Sequence, residues 1–156
     1  MKLELEEKLI KDFPMLYRDH NASMQTTCMC WGFSCGDGWY DLIYDLSKAL
    51  TEYAELKKFE IIVVQVKEKY GTLRFYVQGE DHIISALIGH AVNQSRHTCE
   101  ECGKYGSLRG LGWVQTLCDE CAEKAGYLEE DEEEEEPCIF CRVLKWLKIK
   151  WKKFGN

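Results

Sequence analysis

Residues 99–121 read Cys-Glu-Glu-Cys, fifteen intervening residues, then Cys-Asp-Glu-Cys. A Cys-x-x-Cys turn lets two thiolates converge on one ion, and two such turns complete a closed tetrahedral site. Cys99, Cys102, Cys118 and Cys121 are therefore the expected ligands of one Zn2+. Four thiolates leave no coordination position for water, so the expected role of the metal is structural rather than catalytic. A redox dithiol would account for one Cys-x-x-Cys but poorly for two at this spacing. His97, two residues before Cys99, offers a substitute ligand that a complete set of thiolates does not need.

The other five cysteines carry a weaker signal. Cys28, Cys30 and Cys35 fall within eight residues and could take a second ion with His20 as fourth ligand. Their spacing matches no recurrent site. Trp31, Phe33 and Trp39 surround them, which favours ordinary buried core cysteines. Cys138 and Cys141 form a Cys-x-x-Cys with no second pair left in the chain. That pair could bridge two chains through zinc, form a disulfide or accept lipid.

Catalytic constellations are thin. His20, His82, His90 and His97 sit in no nucleophile or metalloprotease motif. Asp41, Asp45 and Glu52 repeat on one helical face, where solvation explains them. The loop Trp31-Gly-Phe-Ser-Cys-Gly-Asp-Gly-Trp39 is the most unusual stretch. Its glycines and tryptophans read either as the lining of an enzyme pocket or, preferably, as a turn anchored by aromatics.

The elements that must position these residues follow from periodicity. Residues 2–12 predict a short helix ending before Pro14. Trp39, Leu42, Ile43, Leu46, Leu50 and Tyr53 form one apolar stripe and predict a helix over 39–55, with Asp37 placed to cap it. Phe59–Val66 and Thr72–Val77 predict a hairpin, with Gly71 in the connection and Lys67, Glu68 and Lys69 near the exposed turn. Residues 81–95 return to helical spacing. The expected fold class is α+β, helices packed on a small antiparallel sheet. A four-cysteine module of treble-clef or zinc-ribbon type follows, because good helix sequence begins with the second cysteine pair. The expected organisation is an α+β domain at 1–97, the zinc module at 98–128, an acidic linker at 129–137 and a basic tail at 138–156.

Composition bounds the rest. The chain has 156 residues, 46% of them apolar, enough for a core in one domain plus a small module. No apolar run reaches the roughly 18 residues of a spanning helix. Charges in Met1–Glu7 argue against a signal peptide, so a cytoplasmic location is expected. The net charge of −7 is unevenly spread: −5 over residues 1–128, −8 over 129–136 and +6 over 137–156. The run of eight acids reads as a solvated linker. The zinc module itself nets −2, which disfavours phosphate there and favours protein contact or plain stabilisation. Residues 139–154 form a basic amphipathic helix on a wheel, with Phe140, Val143, Leu144, Leu147, Trp151 and Phe154 on one face. Residues 138–154 suit an anionic membrane surface, a nucleic acid or a partner groove, and packing on the chain's own acidic surface is an equal reading.

Three stretches together resemble a group of small, functionally uncharacterised proteins of phages and bacterial genomes. They are Trp31–Trp39, Gln65-Val-Lys-Glu-Lys-Tyr-Gly-Thr-Leu-Arg-Phe-Tyr76, and Thr98-Cys-Glu-Glu-Cys-Gly with Thr116-Leu-Cys-Asp-Glu-Cys121. The resemblance covers about residues 1–125 and implies an intracellular phage or bacterial protein with nothing catalytic. The expected function is therefore that of a zinc-stabilised protein-interaction or regulatory protein with an unknown protein partner. The competing expectations are a nucleic-acid-associated regulator using the basic tail and an enzyme with a pocket at residues 31–39.

Overall fold

The computed structural model describes residues 1–110 and 112–127. The acidic linker and the basic tail, with Cys138 and Cys141, lie outside the described residues. The chain is a mixed helix-and-sheet protein. Helix α1 (Leu3–Asp12) leads through a 3-10 turn (Met29–Trp31) into strand β1 (Phe33–Ser34). A second 3-10 turn (Asp37–Trp39) precedes α2 (Tyr40–Lys57). Strands β2 (Ile62–Lys69) and β3 (Thr72–Gln78) and helix α3 (His82–Ser95) follow. The cysteine-rich part adds β4 (Ser107–Arg109), β5 (Gln115–Leu117) and α4 (Asp119–Lys124). No helix among the described residues is long and apolar enough to cross a membrane.

The predicted stripe of α2 faces inward. Ile43, Leu46 and Leu50 are buried, and they meet Trp39, Tyr17, Phe33 and Leu9 in the core. Each fully buried side chain of this size contributes about 1.5–3 kcal/mol. Ser47 interrupts the stripe without an orphan polar group, because its hydroxyl donates to the Ile43 carbonyl (2.7 Å) and lies 2.6 Å from the Tyr17 hydroxyl. Asp37 does not cap the helix. The 3-10 turn moves the α-helical start to Tyr40, and the Asp37 carboxylate accepts instead from the Lys2 backbone N–H at 2.7 Å and pairs with Lys2 Nζ at 2.9 Å.

The hairpin is longer at its turn than its composition indicates. Lys67, Glu68 and Lys69 belong to β2, paired in register up to Lys69 opposite Thr72. Only Tyr70 and Gly71 remain for the turn, both at positive φ (54° and 69°). That two-residue geometry matches the twist of the strands it joins. A register shift between Val63 and Gln65 inserts one extra residue, so Val63 and Val66 both face the core although three positions separate them. The two-residue strand β1 runs parallel to β2, with Phe33 opposite Val66. Its two residues carry no periodicity, so the sequence offers no signal for it. The sheet order is β1-β2-β3.

Helix α3 begins where Asp81 caps it, its Oδ1 accepting from the Ile83 and Ile84 backbone N–H groups at 2.9 Å each. The Tyr53 hydroxyl donates to the other carboxylate oxygen at 2.6 Å, which ties the cap to α2 and holds the Asp81 carboxyl below its ordinary range. Asp81→Ala is expected to speed amide exchange at Ile83 and Ile84 by about fivefold, the ratio set by one lost cap. Asp81→Asn, which keeps an acceptor, should lose less; hydrogen exchange resolved by residue checks both.

Candidate metal centre

The first cysteine pair sits in a tight turn. The Gly103 N–H donates to the Cys99 carbonyl at 2.9 Å, the Cys99 N–H donates to the Lys104 carbonyl at 2.7 Å, and Gly103 takes the φ of 77° that the turn requires. The second pair spans the start of α4, with Cys118 as its N-terminal flanking residue and Cys121 one turn in. The β4–β5 hairpin brings the two together. The Cys99, Cys102, Cys118 and Cys121 sulfurs all lie within 4.8 Å of one another, with Cys102 and Cys118 Sγ 3.5 Å apart. Tetrahedral zinc thiolate bonds of about 2.3 Å place sulfurs about 3.8 Å apart, so the donor set fits one ion of that kind. The four residues expected from spacing are the four that converge.

Packed thiols resist shared ionisation unless a cation compensates. The Cys121 N–H facing Cys118, with the adjacent thiols, draws the Cys118 thiol down to about 7. Burial, then the same neighbouring thiols, push Cys121 upward. A divalent ion would displace the remaining protons and hold all four as thiolates.

The surroundings of the first knuckle are the main addition of the tertiary structure. The Gly38 N–H donates to the Glu100 carbonyl at 2.7 Å, and the Gly36 N–H donates to Glu100 Oε1 at 2.9 Å. Trp39, fully buried, donates its indole N–H to the Thr98 carbonyl at 2.8 Å. A Cβ on Gly38 would stand 2.2 Å from the Cys99 carbonyl oxygen and 2.4 Å from the Gly103 nitrogen. One on Gly36 would stand 2.3 Å from the Glu100 carbonyl oxygen. The second knuckle strand is seated likewise: the Thr116 hydroxyl donates to the Gly71 carbonyl at 2.6 Å, and the Thr116 carbonyl accepts the Glu100 N–H at 2.8 Å. Glu100, only 4% exposed, is thus turned inward, and burial raises its carboxyl above the ordinary range. The acids Asp119 and Glu120 are paired with Arg109 and Lys104.

The remaining sequence candidates separate. Cys28 is exposed, Cys30 is half-buried with its thiol against the Thr27 carbonyl at 3.3 Å, and Cys35 is buried. Burial explains Cys35 as a core residue, its thiol pushed up to about 12, but not Cys28. Among the described residues the grouping of His, Cys and carboxylate ligands that could hold an ion is the four-cysteine one. His97 stacks on Tyr105 with ring centroids 6.0 Å apart. A groove of about 430 Å³ reaches the first residues of the 31–39 loop, lined by Glu6, His20, Cys30 and Gly32 among others. His20 is engaged on both sides there. Its Nδ1 must donate to the Tyr17 carbonyl (2.9 Å), which leaves Nε2 to accept from the Asn21 amide (2.7 Å). Gly36, Gly38 and Trp39 face the knuckle rather than that groove.

Comparison with protein-family models, curated proteins and solved structures finds no match for the chain.

Gly38→Ala is expected to lower stability by about 2–3 kcal/mol, since the obstructing atoms are backbone. Gly89→Ala is the control: nothing lies within 4 Å of its Cβ position in α3, so stability should rise by about 0.5–1 kcal/mol. Chemical denaturation of the two variants in the presence of zinc checks the contrast.

Proposed function

We propose that this protein is a zinc-stabilised, non-catalytic interaction protein. Its Cys99, Cys102, Cys118 and Cys121 hold one structural Zn2+ in a treble-clef-like arrangement of knuckle, hairpin and helix. The observation that carries the reading is the convergence of four thiols from two knuckles, the first of which has its backbone packed against the turn before α2. When bound, the metal supplies a rigid cross-link between the two knuckles. The residues of this chain do the rest: Gly36 and Gly38 admit the knuckle, Glu100 bridges it to the loop, and Thr116 ties the second strand to the β2–β3 turn. A closed thiolate shell gives the ion no position for an activated water, which favours support over chemistry. The resemblance noted above adds the expectation of a phage or bacterial setting.

Metal analysis of protein purified under reducing conditions should give one zinc per chain, and Cys118→Ser/Cys121→Ser should lose it. Chelation should also speed amide exchange at Gly36 and Gly38, whose N–H groups are held by Glu100, and not only within the cysteine module. Less than half an equivalent in the wild type, or protection at Gly36 and Gly38 indifferent to chelation, would contradict the proposal.

A further inference from the structure

The outward face of the β2–β3 hairpin combines basic and aromatic side chains. Register defines its members. Val66 is paired with Phe75 on the core side, so the alternate pairs, Lys67 with Arg74 and Gln65 with Tyr76, lie on the other face, with Lys69 at its turn end. Strand β1 extends the row, since exposed Ser34 pairs with Lys67. This face carries three cations and no acid, in a chain of net charge −7. Glu68, between the lysines, turns away, its Oε1 accepting the Gly71 N–H at 2.6 Å.

The arrangement costs stability. Like charges directly opposite on neighbouring strands repel, and Lys67 and Arg74 are such a pair. Ion pairs among the described residues are made by the amino terminus and by Lys2, Arg18, Lys104 and Arg109, so Lys67, Lys69 and Arg74 are among the cations that have no carboxylate partner there. Arg74 Nη1 donates to Thr72 Oγ1 (2.6 Å) and to the Leu73 carbonyl (3.1 Å), which anchors the guanidinium at the sheet surface. Aromatic rings stand beside the cations: Lys67 Nζ lies 6.0 Å from the Tyr76 ring centre and Lys69 Nζ 5.3 Å from that of Tyr70. Tyr76 is 45% exposed and Tyr70 70%. Cations with no ion-pair partner among the described residues, beside accessible rings on a sheet, are what a single-stranded nucleic acid needs, phosphates for the charges and a base for the ring.

We propose that the outer face of β2–β3 binds single-stranded nucleic acid, with Lys67, Lys69 and Arg74 contacting phosphates and a base stacked on Tyr76. The inference rests on the chain being a binding protein rather than an enzyme, and is independent of which metal fills the cysteine site. It also differs from nucleic-acid binding by the basic tail, because it places the contacts on the folded part.

The test uses the full chain and a labelled oligothymidine of about 15 nucleotides, followed by fluorescence anisotropy at about 50 mM salt and above. A second background carries glutamine at the six basic positions of residues 137–156, so that the tail cannot supply the binding. Metal content is measured on every sample, so loss of the zinc reading and loss of this one remain distinct results. In both backgrounds Lys67→Gln/Arg74→Gln should weaken binding about tenfold and reduce the salt slope by about 1.4, two phosphate contacts' worth. Tyr76→Ala should weaken it about tenfold, while Tyr76→Phe, which keeps the stacking ring, retains affinity. The proposal is overturned by absent binding in the tail-neutralised background or by unchanged affinity in the double variant. An abasic strand bound as tightly as oligothymidine would overturn it too.

Discussion

The arrangement of this protein depends on one close backbone approach. The first cysteine knuckle lies against the Gly36–Trp39 turn at a distance that no side chain tolerates: a Cβ on either glycine would fall about 2.2–2.3 Å from a carbonyl oxygen. Two N–H groups of that turn and one indole N–H are satisfied by Glu100 and Thr98. Contacts of this kind have a steep energy, since overlap and lost hydrogen bonds arise together within a few tenths of an ångström. The position of the knuckle is consequently set by the core, and the start of α2 is set by the knuckle.

This coupling explains why three separated stretches of unusual composition occur in one chain. The Trp31–Trp39 loop supplies the glycines that admit the knuckle and the tryptophan that anchors it in the core. The Tyr70–Gly71 turn accepts the Thr116 hydroxyl from the second knuckle strand. The cysteine pairs supply the knuckles themselves. Each stretch looks like an isolated peculiarity along the chain, and the first two each make contact with the cysteine module. An ion bound by the four thiols would therefore act on the core as well as on the cysteine module.

The hairpin divides its chemistry between two faces. Its core face contributes Val63, Val66, Leu73 and Phe75 to the packing that holds α2 and α3. Its outer face carries cations that packing does not use. Acids, by contrast, gather at the knuckles, where Glu100 is buried against the loop and Asp119 and Glu120 have basic partners. The net charge of −7 thus conceals a basic sheet face next to an acidic cysteine module.

Much of the local structure, and which four cysteines converge, was legible along the chain. The stripe of α2, the alternation of β3 and the paired Cys-x-x-Cys spacing each depend on residues close in the chain, where periodicity and turn geometry decide the outcome. The sequence did not determine β1, whose two residues carry no period, nor the bulge after Val63, which only pairing with β3 makes visible. Asp37 reads as a helix cap along the chain, but the 3-10 turn before Tyr40 hands it to Lys2. Along the chain the glycines of the 31–39 loop read preferably as a turn anchored by aromatics, with a pocket as the alternative. Only the tertiary structure shows them to be a seat for the knuckle, because what requires a missing Cβ is backbone more than sixty residues away, brought there by the fold.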